Sequence, residues 1–423
     1  MASVRDRVLD ICAERELGGA ARLLRRPFLV LAAVVSVVSW SLSSAAPAAG
    51  EGAGAGFFSA GGATGLAAAT INVPGDQPTL KAAVAAASSG DTIRLAPGTY
   101  EGGVWIENKS LTIASWFQST GDRSYIDQTI ISGVVGTVCG GAVGCRGDGV
   151  IEFGSNADGS AVIGLTITNG SKGIRSGSIV DVSYSHVVGT FDGVNYTGGS
   201  GGTISNSLFA NNGDDGIDLN DDVSTHVVNN TIRDNDDDGI EFRLRSGSPP
   251  VTLDFTGNVI SGNKEDGIQF IDYSDVAARV LRVEGMAAIG CMADGNTVED
   301  YSGAPMAERM YVINNTFSGD NYGLVGGANA IVLNNIFTGE RATALRRVGG
   351  NSIASYNLFW NDGVHYEEST VDLAHTLVAD PLLNPDWTLG ASSPAIDAGT
   401  ASFQWQGEAL RGVACDTKPN RTR

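Results

Sequence analysis

Two short patterns of apolar and polar residues recur together along the middle of the chain. The first is an acidic residue, a glycine, an aliphatic residue and a polar residue, and its four copies begin at Asp192, Asp215, Asp238 and Asp266. The second is an asparagine two places before an aliphatic or aromatic residue, at Asn206, Asn230, Asn258, Asn315, Asn335 and Asn357. The glycines of the first pattern are 23, 23 and 28 residues apart, which indicates a repeat of about that length.

A repeat that carries only short alternating runs cannot bury an apolar face by itself, so equivalent runs must stack. The predicted fold is therefore all-β: a parallel β-helix, or solenoid, in which each coil lies ~4.8 Å from the last. Ile217, Ile240 and Ile268 are expected to form one interior column. A second column is expected to contain Leu208, Ile232, Ile260, Phe317, Phe337 and Phe359. The recurring asparagines predict a ladder between coils, because Asn can satisfy neighbouring backbone groups or adopt the left-handed conformation.

The two ends of the repeat region have their own patterns. The stretch after Thr70 predicts a strand, then an Ala-rich helix with Leu80, Val84 and Ala87 on one face, then the strand Thr92 to Leu95. Such a helix would cap the open apolar end of the first coil. We expect the β-helix to span residues 71–382 and a closing segment and tail to span 383–423.

Composition excludes several other architectures. The chain has 57 glycines and 12 prolines in 423 residues, without the three-residue period of collagen, and only 17% charged residues, too few for a coiled coil. The net charge is −20, so nucleic acid and anionic membrane surfaces are not expected as partners. Cations or neutral polymers fit such a surface better.

The N-terminus is typical of an export signal. Arg25 and Arg26 precede an apolar run that ends near Leu42, and a small-x-small cleavage pattern follows. We expect a signal peptide at 1–48, a Gly/Ala-rich linker at 49–70, and no membrane span after cleavage. The twin-arginine and Sec routes both fit, and a retained N-terminal anchor is the alternative. The expected location is extracellular or periplasmic.

An oxidising compartment also bears on the cysteines. Cys139 and Cys145 bound a short glycine-rich loop, which predicts a local disulfide. Pairing of Cys291 with Cys415 stays open. Four of the five methionines lie with Cys291 in an insertion at 286–310, where the repeat pattern breaks. Packing by flexible side chains is the simpler interpretation of this insertion, and a Cu(I) site is the alternative.

The cap, the segment GDTIRLAPGTY and the two ladders together resemble secreted right-handed parallel β-helix proteins of the pectin-lyase-like superfamily. Near the other end, Asp380-Pro381-Leu382 and the segment SPAIDAG from Ser393 resemble the C-terminal signature of the choice-of-anchor Q proteins. The resemblance covers about residues 71–400. The tail departs from it, because the strand that commonly follows SPAIDAG is replaced by GEALRGVACDTKPNRTR.

Stacked coils would place acidic residues in three lines. The first contains Asp215, Asp238 and Asp266, the second Asp214, Asp237 and Glu265, and the third Asp218, Glu241 and Gln269. Carboxylates ~4.8 Å apart repel by ~1 kcal/mol in water and more when partly buried, so these lines need compensation. It could come from Ca²⁺, from Arg243, Arg245 or Lys264, or from carboxyl groups that keep a proton.

Three interpretations of these lines stay open: a solvated ladder of turn formers, a cation site, and catalytic carboxylates. The candidate metal ligands are Asp215, Asp218, Asp238, Glu241 and Asp266. The candidate catalytic residues are Asp192, Asp214, Asp215, Asp218, Glu241 and Arg243. In the catalytic interpretation Asp192, Asp214 and Asp215 resemble the acid triad of polygalacturonase-type hydrolases, but the histidine segment of that family is missing, and His226 lies in another strand register. Lyase or C5-epimerase chemistry would use Arg243, Arg245, Lys264 and Tyr273.

The sequence therefore predicts a secreted, monomeric protein that binds or processes an extracellular polysaccharide or other cell-surface glycan, with Ca²⁺ as the candidate cofactor. If it is an enzyme, the expected class is a polysaccharide lyase, C5-epimerase or glycoside hydrolase. The alternative is a non-catalytic structural or adhesive β-helix of the cell surface.

Overall fold

The structure is a computed structural model, which describes residues 68–133, 148–221, 223–244, 252–265, 267–272, 280–284, 287–289, 299–300, 309–325, 330–385 and 387–411. Several predictions lie outside these ranges: the signal peptide, most of the linker, and all five cysteines with most of the methionine-rich insertion. Asp266, Arg245 and Tyr273 also lie outside them. No helix in the described part of the chain is long and apolar enough to cross a membrane.

Successive coils contribute strands to three parallel sheets. The first sheet contains β1 (Thr70–Val73), β2 (Thr92–Leu95), β5 (Thr112–Ser115), β8 (Ser160–Ile163), β11 (Val180–Ser183), β14 (Gly201–Ser205), β17 (Ser224–Val228), β20 (Thr252–Thr256), β23 (Val280–Glu284), β26 (Arg309–Ile313), β29 (Ala330–Leu333) and β32 (Ile353–Ser355). The second contains β3 (Gly98–Glu101), β6 (Thr129–Ser132), β9 (Thr166–Thr168), β12 (His186–Val188), β15 (Leu208–Ala210), β18 (Thr231–Arg233), β21 (Val259–Ser261), β24 (Ala287–Ile289), β27 (Thr316–Ser318), β30 (Ile336–Thr338), β33 (Leu358–Trp360) and β35 (Leu377–Val378).

The third sheet holds the candidate site. It contains β4 (Val104–Ile106), β7 (Gly149–Phe153), β10 (Lys172–Ser176), β13 (Asp192–Tyr196), β16 (Ile217–Leu219), β19 (Ile240–Leu244), β22 (Ile268–Asp272) and β25 (Glu299–Asp300). A separate three-stranded sheet follows, of β28 (Tyr322–Val325), β31 (Thr343–Arg346) and β34 (Val364–Glu367). Neighbouring strands come from consecutive coils, so the predicted parallel solenoid is confirmed.

The predicted N-terminal helix is present as α1 (Leu80–Ala86) and contacts β1, β2 and β4. Thr79 caps it by accepting a hydrogen bond from the backbone N–H of Ala82 at 3.1 Å. The predicted face is buried in the hydrophobic core, with Leu80 and Val84 among its residues. Two short helices, α2 (Phe117–Thr120) and α3 (Ser124–Gln128), and a 3-10 helix (Leu373–His375) lie in connections between strands.

The apolar columns fill the interior. Ile217 pairs with Ile240, Ile240 pairs with Ile268, and all three are buried, as predicted. The second column ends in stacked phenylalanine rings, with centroids 4.9 Å apart for Phe317 and Phe337 and 5.2 Å apart for Phe337 and Phe359. The prediction was wrong for Leu208. Its neighbour Phe209 pairs with Ile232 and takes the interior place, because side chains alternate along a strand.

The asparagine ladder is also present. Asparagines occupy two different positions beside it: one whose side chain bonds to the next coil, and one whose backbone is left-handed. The side chains of Asn315, Asn335 and Asn357 are linked, since each amide nitrogen donates to the next amide oxygen at 2.9–3.0 Å. The residue before Asn335, Asn334, is left-handed with φ 58°. The prediction was wrong for Asn206, which is left-handed at φ 52°, while Ser207 takes the ladder position and donates its backbone N–H to Asn230.

The last described part of the segment beyond residue 382 packs on the outer surface of the first sheet. Its antiparallel hairpin, β36 (Ser402–Trp405) and β37 (Glu408–Arg411), places Phe403, Trp405 and Leu410 against a small apolar cluster. The cluster consists of Ile313, Ile331, Leu333 and Ile353. Thr400 fixes the start of the hairpin, because its backbone N–H donates to the Asn334 side chain at 2.9 Å.

The phenylalanine stack gives a direct test of the interior column. We expect Phe337→Ala to lower the free energy of unfolding by about 3–5 kcal/mol, because it opens a cavity between two rings in a fully buried position. Urea denaturation measures the loss. The matched control is Trp360→Ala on the following coil, where the side chain is 39% exposed and the cost should be below about 1 kcal/mol. Equal costs for the two variants would contradict the column.

Candidate acidic site

The first two acidic lines run across the turns that lead into the third sheet. The backbone N–H of Gly193 donates to the carbonyl of Asp215, and that of Gly216 donates to the carbonyl of Asp238, both at 3.0 Å. These bonds place Asp192, Asp215 and Asp238 one above another. In the neighbouring line the backbone N–H of Asp237 donates to the backbone carbonyl of Asp214 at 3.2 Å. The predicted stacking is therefore present for Asp215 with Asp238 and for Asp214 with Asp237, and Asp192 is an additional member of the first line.

The third line lies within the strands of the third sheet. Asn195 pairs with Asp218, Asp218 with Glu241, and Glu241 with Gln269, as the repeat predicted. The same line continues toward the N-terminus through Arg175 and Glu152.

Two groups of three carboxyl groups converge, and both include Asp215. One ligand atom from each of Asp214, Asp215 and Asp237 lies within 4.8 Å of the others, and the same holds for Asp215, Asp238 and Glu241. The second group is entirely buried. Asp215 also accepts a hydrogen bond from the backbone N–H of Asp238 at 3.1 Å. Of the predicted metal ligands, the fold therefore brings Asp215, Asp238 and Glu241 together.

Asp218 does not join either group. Its carboxylate accepts hydrogen bonds from the side-chain amides of Asn220 at 2.7 Å and Asn195 at 2.5 Å. Arg243 lies 3.3 Å from the same carboxylate, forms an ion pair with Glu241 and donates to Asn220 at 2.6 Å. Asp218 is thus held in a network of ion pairs and hydrogen bonds. The structure gives no geometric support to the prediction that Asp218 is a metal ligand.

Asp192 is paired with a cation that the sequence analysis did not select. Lys172, its partner in the β10–β13 register, donates to Asp192 Oδ2. Asp192 is 1% exposed, and among the described residues its other oxygen, Oδ1, has no hydrogen-bond partner. Lys172 also lies over the ring of Phe191, with the ammonium 5.4 Å from the ring centroid.

Burial and mutual repulsion raise the pKa of these carboxyl groups. Burial is the main cause for Asp192, whose pKa rises to about 6, and for Asp214, whose pKa rises to about 8 with further contributions from Asp192 and Asp237. Burial, followed by repulsion from Glu241 and Asp238, raises the pKa of Asp215 well above its usual range. Burial alone would lower the pKa of Lys172, but attraction to Asp192 outweighs it and the pKa is raised.

Of the cationic side chains expected to compensate the acidic lines, only some do so. Arg243 does neutralise the third line, but Lys264 pairs instead with the exposed Asp236 at 2.5 Å. His226 lies in the first sheet, 3.5 Å from Asp254, away from the acidic lines. The burial of Asp215, Asp218, Asp238 and Glu241 does not fit the interpretation as a solvated turn ladder.

The acidic copies of the motif do not by themselves predict the ion pairs of the preceding coils. Lys172 and Arg175 belong to the segment KGIR, which aligns with the copy that begins at Asp192. Arg175 pairs with Glu152 at 2.8 Å. Because Lys172 aligns with Asp192, the sequence itself indicates that a cation lies at the end of the first acidic line.

The chemistry of the cluster fits a hard cation. Ca²⁺ is bound by several oxygen ligands, and carboxylates are preferred. Within the described residues, seven carboxyl groups of Asp192, Asp214, Asp215, Asp218, Asp237, Asp238 and Glu241 are accompanied by two cationic side chains, Lys172 and Arg243. The buried, unpartnered Oδ1 of Asp192 is a further observation in favour of a missing positive partner.

Comparison with known proteins agrees with the sheet order. Residues 117–280 match a family model described as "Right handed beta helix region". A search of curated proteins gave no match. This match over part of the chain agrees with the stacked parallel strands of the described residues, which form a parallel β-helix.

Solved structures to which the chain is similar include the catalytic domain of a GH87 α-1,3-glucanase in complex with nigerose. It has 12% identity and a TM-score of 0.43, and the match covers 68% of this chain but only 64% of that one. Pectate lyase Pel9A has 14% identity and a TM-score of 0.45 over 81% of this chain and 96% of that one. An alginate lyase from Paenibacillus sp. str. FPU-7 has 18% identity and a TM-score of 0.33 over 72% and 99%.

The Lys172–Asp192 pair gives a test of the site's electrostatics. We expect Lys172→Met to lower the free energy of unfolding by about 3–5 kcal/mol at neutral pH, because it leaves Asp192 buried without its cation. The second change in Lys172→Met/Asp192→Asn should recover part of the loss. Lys81→Met is the control, since its pair with Glu101 is exposed and is worth about 0–1 kcal/mol. A loss no larger than in this control would contradict a buried, coupled pair.

The raised pKa of Asp214 predicts a pH dependence in chelator-treated protein. Because the folded pKa of about 8 exceeds the ordinary value of 3.8, the folded state retains a proton that the unfolded chain releases. The stability from Asp214 should be complete below about pH 4 and lost as pH rises toward about 8. Asp214→Asn should flatten this slope in urea denaturation from pH 4 to 8. Asp236→Asn, at an exposed position in the next coil, should leave it unchanged. An unaltered slope in Asp214→Asn would contradict the assignment.

Proposed function

We propose that the protein binds and processes an extracellular polysaccharide at the acidic site, with Ca²⁺ as its cofactor. The observation that carries the proposal is the convergence of Asp215 with Asp238 and Glu241 on one side and with Asp214 and Asp237 on the other. A buried group of this kind is costly unless a positive partner or a proton compensates it. The expected extracellular or periplasmic location rests on the N-terminal sequence.

The two groups around Asp215 suit different tasks. Asp215, Asp238 and Glu241 are buried and would hold the cation. Ca²⁺ bound there would neutralise the carboxylates and bind a carboxylate of a uronic-acid polymer. Since the chain has a net charge of −20, an acidic polymer would otherwise be repelled.

Asp214 and Asp237 suit proton transfer. Both side chains are only partly buried, and a hydrogen bond joins them. Without bound Ca²⁺ the pKa of Asp214 is raised to about 8. Ca²⁺ held by the neighbouring Asp215 would lower this pKa, so that Asp214 would be ionised and could accept a proton near neutral pH. Arg243 positions Glu241 and Asp218 beside this pair.

This division of roles favours a lyase or C5-epimerase, because both reactions begin with removal of a proton beside a uronate carboxyl group. Asp214 is the proposed proton-transfer group, and Asp237 is its positioning partner. Asp192, held by Lys172 and shielded from solvent, would contribute to the charge of the site and not contact the polymer.

The proposal is tested with purified protein on a panel of uronic-acid and neutral polysaccharides, with Ca²⁺ or with EGTA. We expect Ca²⁺-dependent turnover of a uronic-acid polymer, followed by absorbance of unsaturated products or by NMR of the C5 configuration. Asp214→Asn should lower kcat by about 10²–10⁴-fold. Asp215→Asn/Glu241→Gln should remove the Ca²⁺ dependence together with the activity.

Asp236→Asn is the matched control, because Asp236 lies beside the site but its side chain is exposed and paired with Lys264. It should retain full activity. New reducing ends without unsaturated products would indicate hydrolysis and contradict the proposed reaction. No product on any polymer, with unchanged behaviour of the variants, would leave the non-catalytic surface protein as the correct alternative.

A further inference from the structure

The second acidic line continues into the preceding coil through an exposed aromatic residue, Phe191. The backbone N–H of Asp214 donates to the carbonyl of Phe191 at 2.9 Å, and the N–H of Phe191 donates to the carbonyl of Ser171 at 3.1 Å. Phe191 therefore has the position that Asp214 and Asp237 have in the next two coils. Since neighbouring coils lie ~4.8 Å apart, Phe191 is the direct neighbour of the proposed proton-transfer group.

The fold does not require an aromatic residue at this position. The equivalent residues of the other coils in this line are all polar, namely Ser171, Asp214, Asp237 and Glu265. The Phe191 side chain is 44% exposed and belongs to neither of the two apolar clusters of the described residues. Among the exposed large apolar side chains in the described ranges, it is the one beside the acidic site. Packing of the coils therefore does not explain it.

The ring of Phe191 is held in place by its neighbours. The ammonium group of Lys172 lies 5.4 Å from the ring centroid, and Lys172 is itself fixed by its ion pair with the buried Asp192. Gly213 lies on the side of the next coil, where a methyl group would be 3.5 Å from Phe191 Cδ2. Gly213 thus contributes no side chain between the ring and Asp214.

We propose that the ring of Phe191 binds one sugar unit of the polymer, next to the unit that reacts at Asp214. The face of an aromatic ring carries partial negative charge, which attracts the C–H groups on one face of a pyranose ring. Lys172 occupies one face of Phe191, so the sugar packs on the other. A ring already held by a cation contact loses little freedom when the sugar binds. This inference rests on the proposed function and adds a binding residue on the side of the preceding coil.

The test measures binding separately from turnover. Asp214→Asn protein with Ca²⁺ serves as the parent, and isothermal titration calorimetry measures its Kd for oligomers of polygalacturonate and alginate, two uronic-acid polymers. Adding Phe191→Ala or Phe191→Leu should raise Kd about tenfold, which is the order expected for one aromatic contact. Phe191→Trp should preserve the affinity, because it restores an aromatic face.

Kinetics of the otherwise unaltered protein give a second measurement. Phe191→Ala should raise KM about tenfold and change kcat by less than about threefold, because the contact is made before and during the reaction. Trp360→Ala is the matched control, since Trp360 is an aromatic residue of similar exposure, 39%, in the second sheet. It should leave Kd and KM unchanged. The Phe191 variants should keep a Tm close to that of the parent, because the side chain lies outside the core.

The outcomes separate this inference from the proposed function. Turnover with an unchanged KM in Phe191→Ala would overturn the inference and leave the proposed function standing. Binding that weakens in Phe191→Ala but is never followed by turnover would support the inference and contradict the proposed reaction. Unchanged affinity in Phe191→Leu, or a loss of affinity that accompanies a large fall in Tm, would also overturn the inference. Absence of binding to every polymer would contradict both.

Discussion

Parallel stacking at ~4.8 Å is the constraint on which the rest of the structure depends. It places each residue directly against its counterpart in the next coil, so a residue type that recurs in the sequence becomes a continuous line in space. For isoleucine and phenylalanine the line is a core, as in the rings of Phe317, Phe337 and Phe359. For asparagine it is a hydrogen-bonded ladder. For aspartate and glutamate it is a concentration of like charge that needs a compensating partner.

The repeat spacing was enough to predict the fold, the isoleucine column and the three acidic lines, because these depend only on register. It did not determine which residue of a neighbouring pair points inward. Leu208 and Asn206 were each one position away from the residue that occupies the column or ladder, since a shift of one residue reverses the side of the strand. Burial was also not readable from the spacing. Asp218 and Glu241 alternate with Ile in the sequence as solvent-facing residues would, yet both are buried.

The structure uses several means of compensating stacked polar groups within one solenoid. Asn212 and Asn235 need no ion, because their amides satisfy one another. Asp218 is satisfied by amides and Arg243, whereas Lys172, a cation from the preceding coil, satisfies only one oxygen of Asp192. Around Asp215 the described side chains provide less positive charge than the carboxyl groups require.

The C-terminal hairpin has a consequence for how the chain tolerates shortening. In β29 all four residues are buried, because the interior covers one side and Phe403, Trp405 and Leu410 pack against the other. A proteolytic cut near residue 400 would therefore leave the coils intact but uncover Ile313, Ile331, Leu333 and Ile353 as one apolar surface. Such a surface promotes self-association. The hairpin thus covers an apolar surface of the later coils that would otherwise face water.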